Sequence, residues 1–155
     1  MLAEFESLSE EARVYYYPAS RKFYPDEAGP LRLQVEDFCQ RLEGVKISCQ
    51  FRYDRFVIFF VSEDTPLSLE QNDQLVEFIL SLEKKYELSL LDKVNVCFKQ
   101  GKFVQRKEMT EFRKMIKNRS VSPKTVVFDP MINTKSEFLT NWEVPLSQSW
   151  LGYLL

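Results

Sequence analysis

Between Val45 and Val61 the hydrophobic period of the chain changes, and that change limits the folds open to it. Val45, Ile47, Cys49, Phe51 and Tyr53 alternate with Lys46, Ser48, Gln50, Arg52 and Asp54. A period of two describes a strand with one face toward water. Arg55 to Val61 follows at once and is apolar on both faces from Phe56 onward, which places it in the middle of a sheet. The join at Tyr53-Asp54-Arg55 leaves room only for a tight hairpin. The apolar run Phe56–Val61 is six residues long; it can cross a sheet, whereas a bilayer needs about 20 residues in a helix.

Helical patterns flank this hairpin. Leu31, Val35, Phe38, Cys39 and Leu42 recur at spacings of three and four, with Pro30 expected in the first turn and Gly44 just past the end. Ser68-Leu69-Glu70-Gln71 is a capping box ahead of a helix carrying Leu75, Phe78, Ile79, Leu82 and Tyr86 on one face. Arg13-Val14-Tyr15-Tyr16-Tyr17, stopped by Pro18, reads as a first strand. Val94, Val96 and Phe98 alternate, and Gln100-Gly101 turns into Phe103-Val104 as a second hairpin. A shorter helix then buries Met109, Phe112, Met115 and Ile116, a strand follows at Thr125–Phe128, and Thr134 starts a last helix through Phe138, Leu139 and Trp142.

The order β-α-β-β-α-β suggests a ferredoxin-like start with a C-terminal α/β addition. The expectation is an α+β fold: an antiparallel sheet with helices on one face, residues 1–155 forming a single domain. A chain of 155 residues buries enough surface to fold without a disulfide or metal. The apolar ending Trp150-Leu151-Gly152-Tyr153-Leu154-Leu155 must be covered. It folds back over the sheet, or it buries against a second copy or another protein.

The sequence contains no histidine, which removes Ser-His and Cys-His nucleophile pairs and mixed Cys/His zinc sites. Its three cysteines, Cys39, Cys49 and Cys97, include no Cys-x-x-Cys pair and suit a reducing, cytoplasmic setting. Cys39 and Cys49 fall on apolar faces, while Cys97 falls opposite Val96 and Phe98 and is a candidate for exposure. Met1 to Glu6 has no basic segment followed by an apolar run, so no secretory leader is expected. A net charge of −2 supplies no general attraction to membranes. No cofactor and no metal site is expected.

Three groups of residues are candidates for function. Lys99 to Arg119 holds Lys99, Lys102, Arg106, Lys107, Arg113, Lys114, Lys117 and Arg119 against Glu108 and Glu111: eight minus two, or +6, leaving −8 elsewhere. Such a segment can bind phosphate backbones or an acidic partner, with Phe103 or Phe112 available for stacking; the plainer reading is a solvated helix face. Tyr15, Tyr16, Tyr17, Arg21, Lys22, Phe23 and Tyr24 cluster around Pro18, and Tyr and Arg are frequent at binding hot spots; the plainer reading is a half-buried strand. Glu63 and Asp64, with Asp54 and Asp73 nearby in sequence, could hold a metal or serve as acid and base; the plainer reading is a polar loop favouring the next helix N-terminus.

Arg13–Tyr17 with Ser20–Phe23, Tyr53–Phe56, Phe98–Gly101, Phe112–Met115, and Asn141–Pro145 with Ser149-Trp150 occur in that order. Together they resemble a family of small uncharacterised bacterial proteins sometimes labelled "ABC transporter ATPase". The resemblance spans nearly the whole chain and implies no catalytic residue. Where members carry Cys-Ser-Ile-Asp before the second long helix, this chain reads Leu67-Ser68-Leu69-Glu70. An ATPase of the P-loop kind needs Gly-x-x-x-x-Gly-Lys followed by Ser or Thr. Gly101-Lys102 is the only Gly-Lys; Phe103 follows it, and Val96 stands where the first glycine belongs.

Three functional readings follow. The leading one is a non-enzymatic cytoplasmic binding or assembly module, engaging a protein partner or a second copy through the aromatic surface or the tail. Its candidate residues are Lys99, Lys102, Arg106, Arg113, Lys114, Lys117, Tyr16 and Arg21. The alternatives are nucleic-acid binding through 99–119 and a carboxylate-based, metal-dependent enzyme at Glu63 and Asp64.

Overall fold

The computed structural model describes all 155 residues and has an α+β fold with two antiparallel sheets. The chain forms two compact units: Met1–Asp92 with Asn133–Ser136, and Lys93–Ile132 with Glu137–Leu155.

The first unit contains β1 (Arg13–Pro18), α1 (Pro25–Arg41), β2 (Ile47–Arg52), β3 (Phe56–Val61) and α2 (Leu69–Tyr86). Its sheet order is β1-β3-β2, both pairings antiparallel. The all-apolar strand is thus central, as its two-faced hydrophobicity requires. Tyr17, Val57, Phe59, Val61 and Ile47 form one face and join Leu31, Val35 and Cys39 of α1 and Leu75, Ile79 and Leu82 of α2 in one core. Both helices therefore pack on the same side of this sheet. Each fully buried large side chain contributes about 1.5–3 kcal/mol. The other face of β3, Phe56, Ile58 and Phe60, is buried as well. Ser48, next to Phe60 in register, is drawn into the protein with it, so the polar face of β2 is not uniformly wet.

The hairpin between β2 and β3 turns without glycine. Tyr53 and Asp54 both take left-handed backbone angles, φ 55 and φ 50, and the Arg55 N–H donates to the Arg52 carbonyl at 3.0 Å. Helix α1 begins earlier than the apolar stripe suggested. Pro25 sits at its first position, and the Glu27 side chain accepts from the Tyr24 N–H at 2.8 Å. Pro30 lies inside the helix, losing one backbone bond that the burial of Leu31 and Val35 offsets. Gly44 follows the helix with φ +69, a conformation that costs other residues more.

The ferredoxin-like start is not confirmed. The β1-β3-β2 part has the expected order, but the next strand does not join it. The outer edge of β1 is instead met by the returning segment, with Arg13 bridged to Thr134 and the Val14 N–H donating to the Asn133 carbonyl at 2.9 Å. Lys135 anchors this segment. Its Nζ donates to the Phe5 and Leu8 carbonyls at 2.7 and 2.8 Å and lies 4.2 Å from the Phe5 ring centre.

The second unit contains β4 (Val96–Gln100), β5 (Phe103–Lys107), α3 (Met109–Lys117), β6 (Val126–Phe128) and β7 (Glu143–Pro145), and α4 (Lys135–Asn141) runs into it from the returning segment. The sheet order is β5-β4-β6-β7. Gly101, φ +61, occupies the first position of the two-residue β4–β5 turn, where a glycine is favoured. Val96, Phe98, Phe112, Val127, Leu146 and Leu151 form the core. The C-terminal segment is part of it: Leu151 is buried, and Trp150 and Leu154 pack against the cluster. Strand β7 had no sequence signal of its own. It is three residues long and ends in Pro145, which an edge strand tolerates.

Candidate functional site

The basic run splits when it folds. Cross-strand partners in an antiparallel pair share a face, and Phe98 pairs with Gln105 and Val96 with Lys107. Phe103, Gln105 and Lys107 therefore lie on the side of the sheet that carries Phe98. Helix α3 covers that side, its Phe112 ring 5.1 Å from the Phe98 ring. Lys99 and Arg106 project from the opposite side. Lys99 is committed there to Glu143 at 3.2 Å.

What remains on the α3 side is a cationic surface. Helix α3 turns Phe112 fully inward, with Met109, Met115 and Ile116 partly covered. At 100° per residue, Arg113, Lys117 and Lys114 fall within one arc on the outward side, and all three are exposed. Lys107 at the end of β5 reaches Glu111 at 3.8 Å, a solvent-exposed pair of little energetic weight. At the hairpin tip Lys102 is exposed and Phe103 is 67% exposed. Of the two phenylalanines open to a stacking role, Phe103 is at the surface and Phe112 is core.

Charge is also divided by unit. The first unit has eleven Lys and Arg against eighteen Asp and Glu, a net of −7. The second has ten against five, a net of +5.

The aromatic cluster around Pro18 is structural for the most part. Tyr16 is buried and its ring stacks on Phe56 with centroids 5.8 Å apart. Tyr17 is buried too, and desolvation pushes its phenol up to about 12. Arg21 donates to Glu27 at 2.9 Å and to the Tyr86 carbonyl at 2.5 Å, and lies over the Tyr24 ring. Arg21 ties the β1–α1 connection to the end of α2. The Arg21 guanidinium holds the Glu27 carboxyl below the usual carboxylate range, with help from the Tyr24 N–H.

The carboxylates near β3 do not converge. Glu63 accepts from Ser9, which lowers its pKa. No group of three or more Asp, Glu, Cys or His side chains is placed to hold a metal ion. Cys97, a candidate for exposure by its strand parity, is buried; β4 is an interior strand, paired on both edges. Cys39 is buried as well, and burial raises its thiol to about 12.

A feature without a sequence signal is a pocket in the first unit. Phe23, Ala28, Gly29, Leu31, Arg32, Phe51, Asp54, Arg55 and Phe56 enclose about 130 Å³. The pocket forms where the left-handed turn at Tyr53-Asp54 meets the first turns of α1. The Phe23 N–H donates to the Asp54 carbonyl at 2.7 Å and closes one wall. A second, more open cleft between α1 and α2 is floored by Phe38 and Phe78, whose rings stack at 4.3 Å.

No helix is long and apolar enough to cross a membrane. Compared with protein-family models, curated proteins and solved structures, the chain matches none.

Proposed function

We propose that this protein is a non-enzymatic binding module that engages an acidic protein surface through the outward face of α3. The observation that carries the reading is the arc of exposed Arg113, Lys114 and Lys117 on a unit with a net charge of +5. Clustered cations without internal carboxylate partners draw anionic partners by long-range attraction.

A protein partner suits this face better than a nucleic acid. Binding of single strands relies on successive aromatic platforms, and here Phe112 is in the core while Phe103 stands alone at the hairpin tip. Lys99 and Arg106, on the far side of the sheet, cannot extend the same track. The run of eight basic residues therefore delivers a compact patch, not a groove.

The test compares two fluorescent probes of equal charge, a Glu-rich peptide containing Leu residues and a single-stranded oligonucleotide. Anisotropy should show the peptide binding and its affinity falling several-fold from about 50 to 200 mM salt. Reversal of Arg113, Lys114 and Lys117 to Glu should abolish that binding. Tighter binding of the oligonucleotide would overturn the protein reading, and indifference to the triple reversal would remove the α3 face.

A further inference from the structure

We propose that the pocket beside the β2–β3 turn is a binding site for a small aromatic carboxylate. It lies in the first unit and does not depend on the α3 reading.

The chamber is lined by Phe23, Leu31, Phe51 and Phe56, with Ala28 and Gly29 of α1 along one side. These are apolar or small surfaces. Its volume, about 130 Å³, compares with the roughly 150 Å³ of an apolar cavity that admits benzene. A single six-membered ring therefore suits it, and a fused or extended ring system does not.

Charge at the rim selects the ring's substituent. Arg32 and Arg55 line the pocket against the single carboxylate of Asp54. The Arg32 guanidinium lies 4.6 Å from the centre of the Phe51 ring. That contact holds a planar fork of donors over the chamber wall without an ion pair to Arg32. A carboxylate on the ring would meet this guanidinium as the ring enters, a charge-assisted contact that a neutral substituent cannot make.

The backbone keeps the mouth open. A Cβ added at Gly29 would meet no atom within 4 Å, so the α1 side of the opening is free. On the other side the turn is held in left-handed geometry at two non-glycine residues, Tyr53 and Asp54.

The experiment uses the full chain and amide-resolved NMR titration with benzoate, phenylacetate and benzyl alcohol. The two carboxylates should give saturable shifts confined to residues 23–32 and 51–56, and the alcohol should bind roughly tenfold more weakly. Arg32→Gln should erase the preference for carboxylate while leaving the amide spectrum otherwise native. Gly29→Leu, which favours the helix and places a side chain at the mouth, should remove binding of all three. The proposal is overturned by the absence of saturable shifts, by shifts centred elsewhere, by equal affinity for alcohol and carboxylate, or by native binding in Gly29→Leu.

Discussion

Single residues in this protein carry conformations that their neighbours impose. Glu87 ends α2 in the left-handed region, φ 53, with its N–H on the Glu83 carbonyl. Glycine takes this geometry without the penalty of a Cβ. Glu87→Gly should raise the stability of the protein by about 1 kcal/mol, measured as a higher denaturation midpoint at unchanged slope. Glu27 is a second case, since it caps α1 and pairs with Arg21. Its pKa lies below the ordinary value of 4.5. The stabilisation is therefore complete above that value and is lost as pH falls through the lowered one. Glu27→Gln should cost about 1 kcal/mol at neutral pH. Once the pH has fallen through the lowered value the variant and the parent should converge in urea titrations, and a gap that persisted there would show that the charge of Glu27 is not what matters. Gly44 was legible because a glycine after an apolar stripe has a known purpose. Tyr53 and Glu87 were not legible as left-handed residues, because their side chains carry no such signal and the surrounding chain determines φ; Asp54 is of a type that tolerates this region.

At the level of elements, the core and the surface of α3 should separate cleanly. Phe112 is fully buried against Phe98, so Phe112→Ala should cost about 3–5 kcal/mol and unfold the second unit first in hydrogen exchange. The outward residues Arg113, Lys114 and Lys117 support no core contact, and their combined reversal to Glu should leave the melting temperature within a few degrees of the parent. A large loss of stability in the triple variant would mean that this face is structural. The elements themselves were largely readable, because the period shifts from two to three and four at the points where strands give way to helices. The division of the basic run was less readable. Once the β4–β5 hairpin is assigned, the alternation of Lys99, Arg106 and Lys107 across its two faces follows from period two, yet a count of charges along the chain conceals it. The early start of α1 was hidden by Pro25, Gly29 and Pro30, which locally resemble a loop and are overridden by the buried stripe behind them.

For the whole molecule, the strand partner of β1 decides the topology, and no local pattern encodes it. The ferredoxin-like expectation rested on element order alone; the edge of β1 is taken instead by a segment more than 100 residues away, at Asn133 and Thr134. The pocket was unreadable for the same reason, since it joins residues from a turn, a helix and two strands. The division of charge, −7 in one unit and +5 in the other, was foreshadowed by the basic segment but took its meaning from the fold. The proposed binding of an acidic protein by the α3 face is tested by paired capture from the host lysate at low salt, with the parent chain and the Arg113, Lys114 and Lys117 to Glu variant as baits, each with and without nuclease. We expect an acidic protein that survives nuclease, is held by the parent and is lost from the variant. Recovery abolished by nuclease, or equal recovery on both baits, would contradict it.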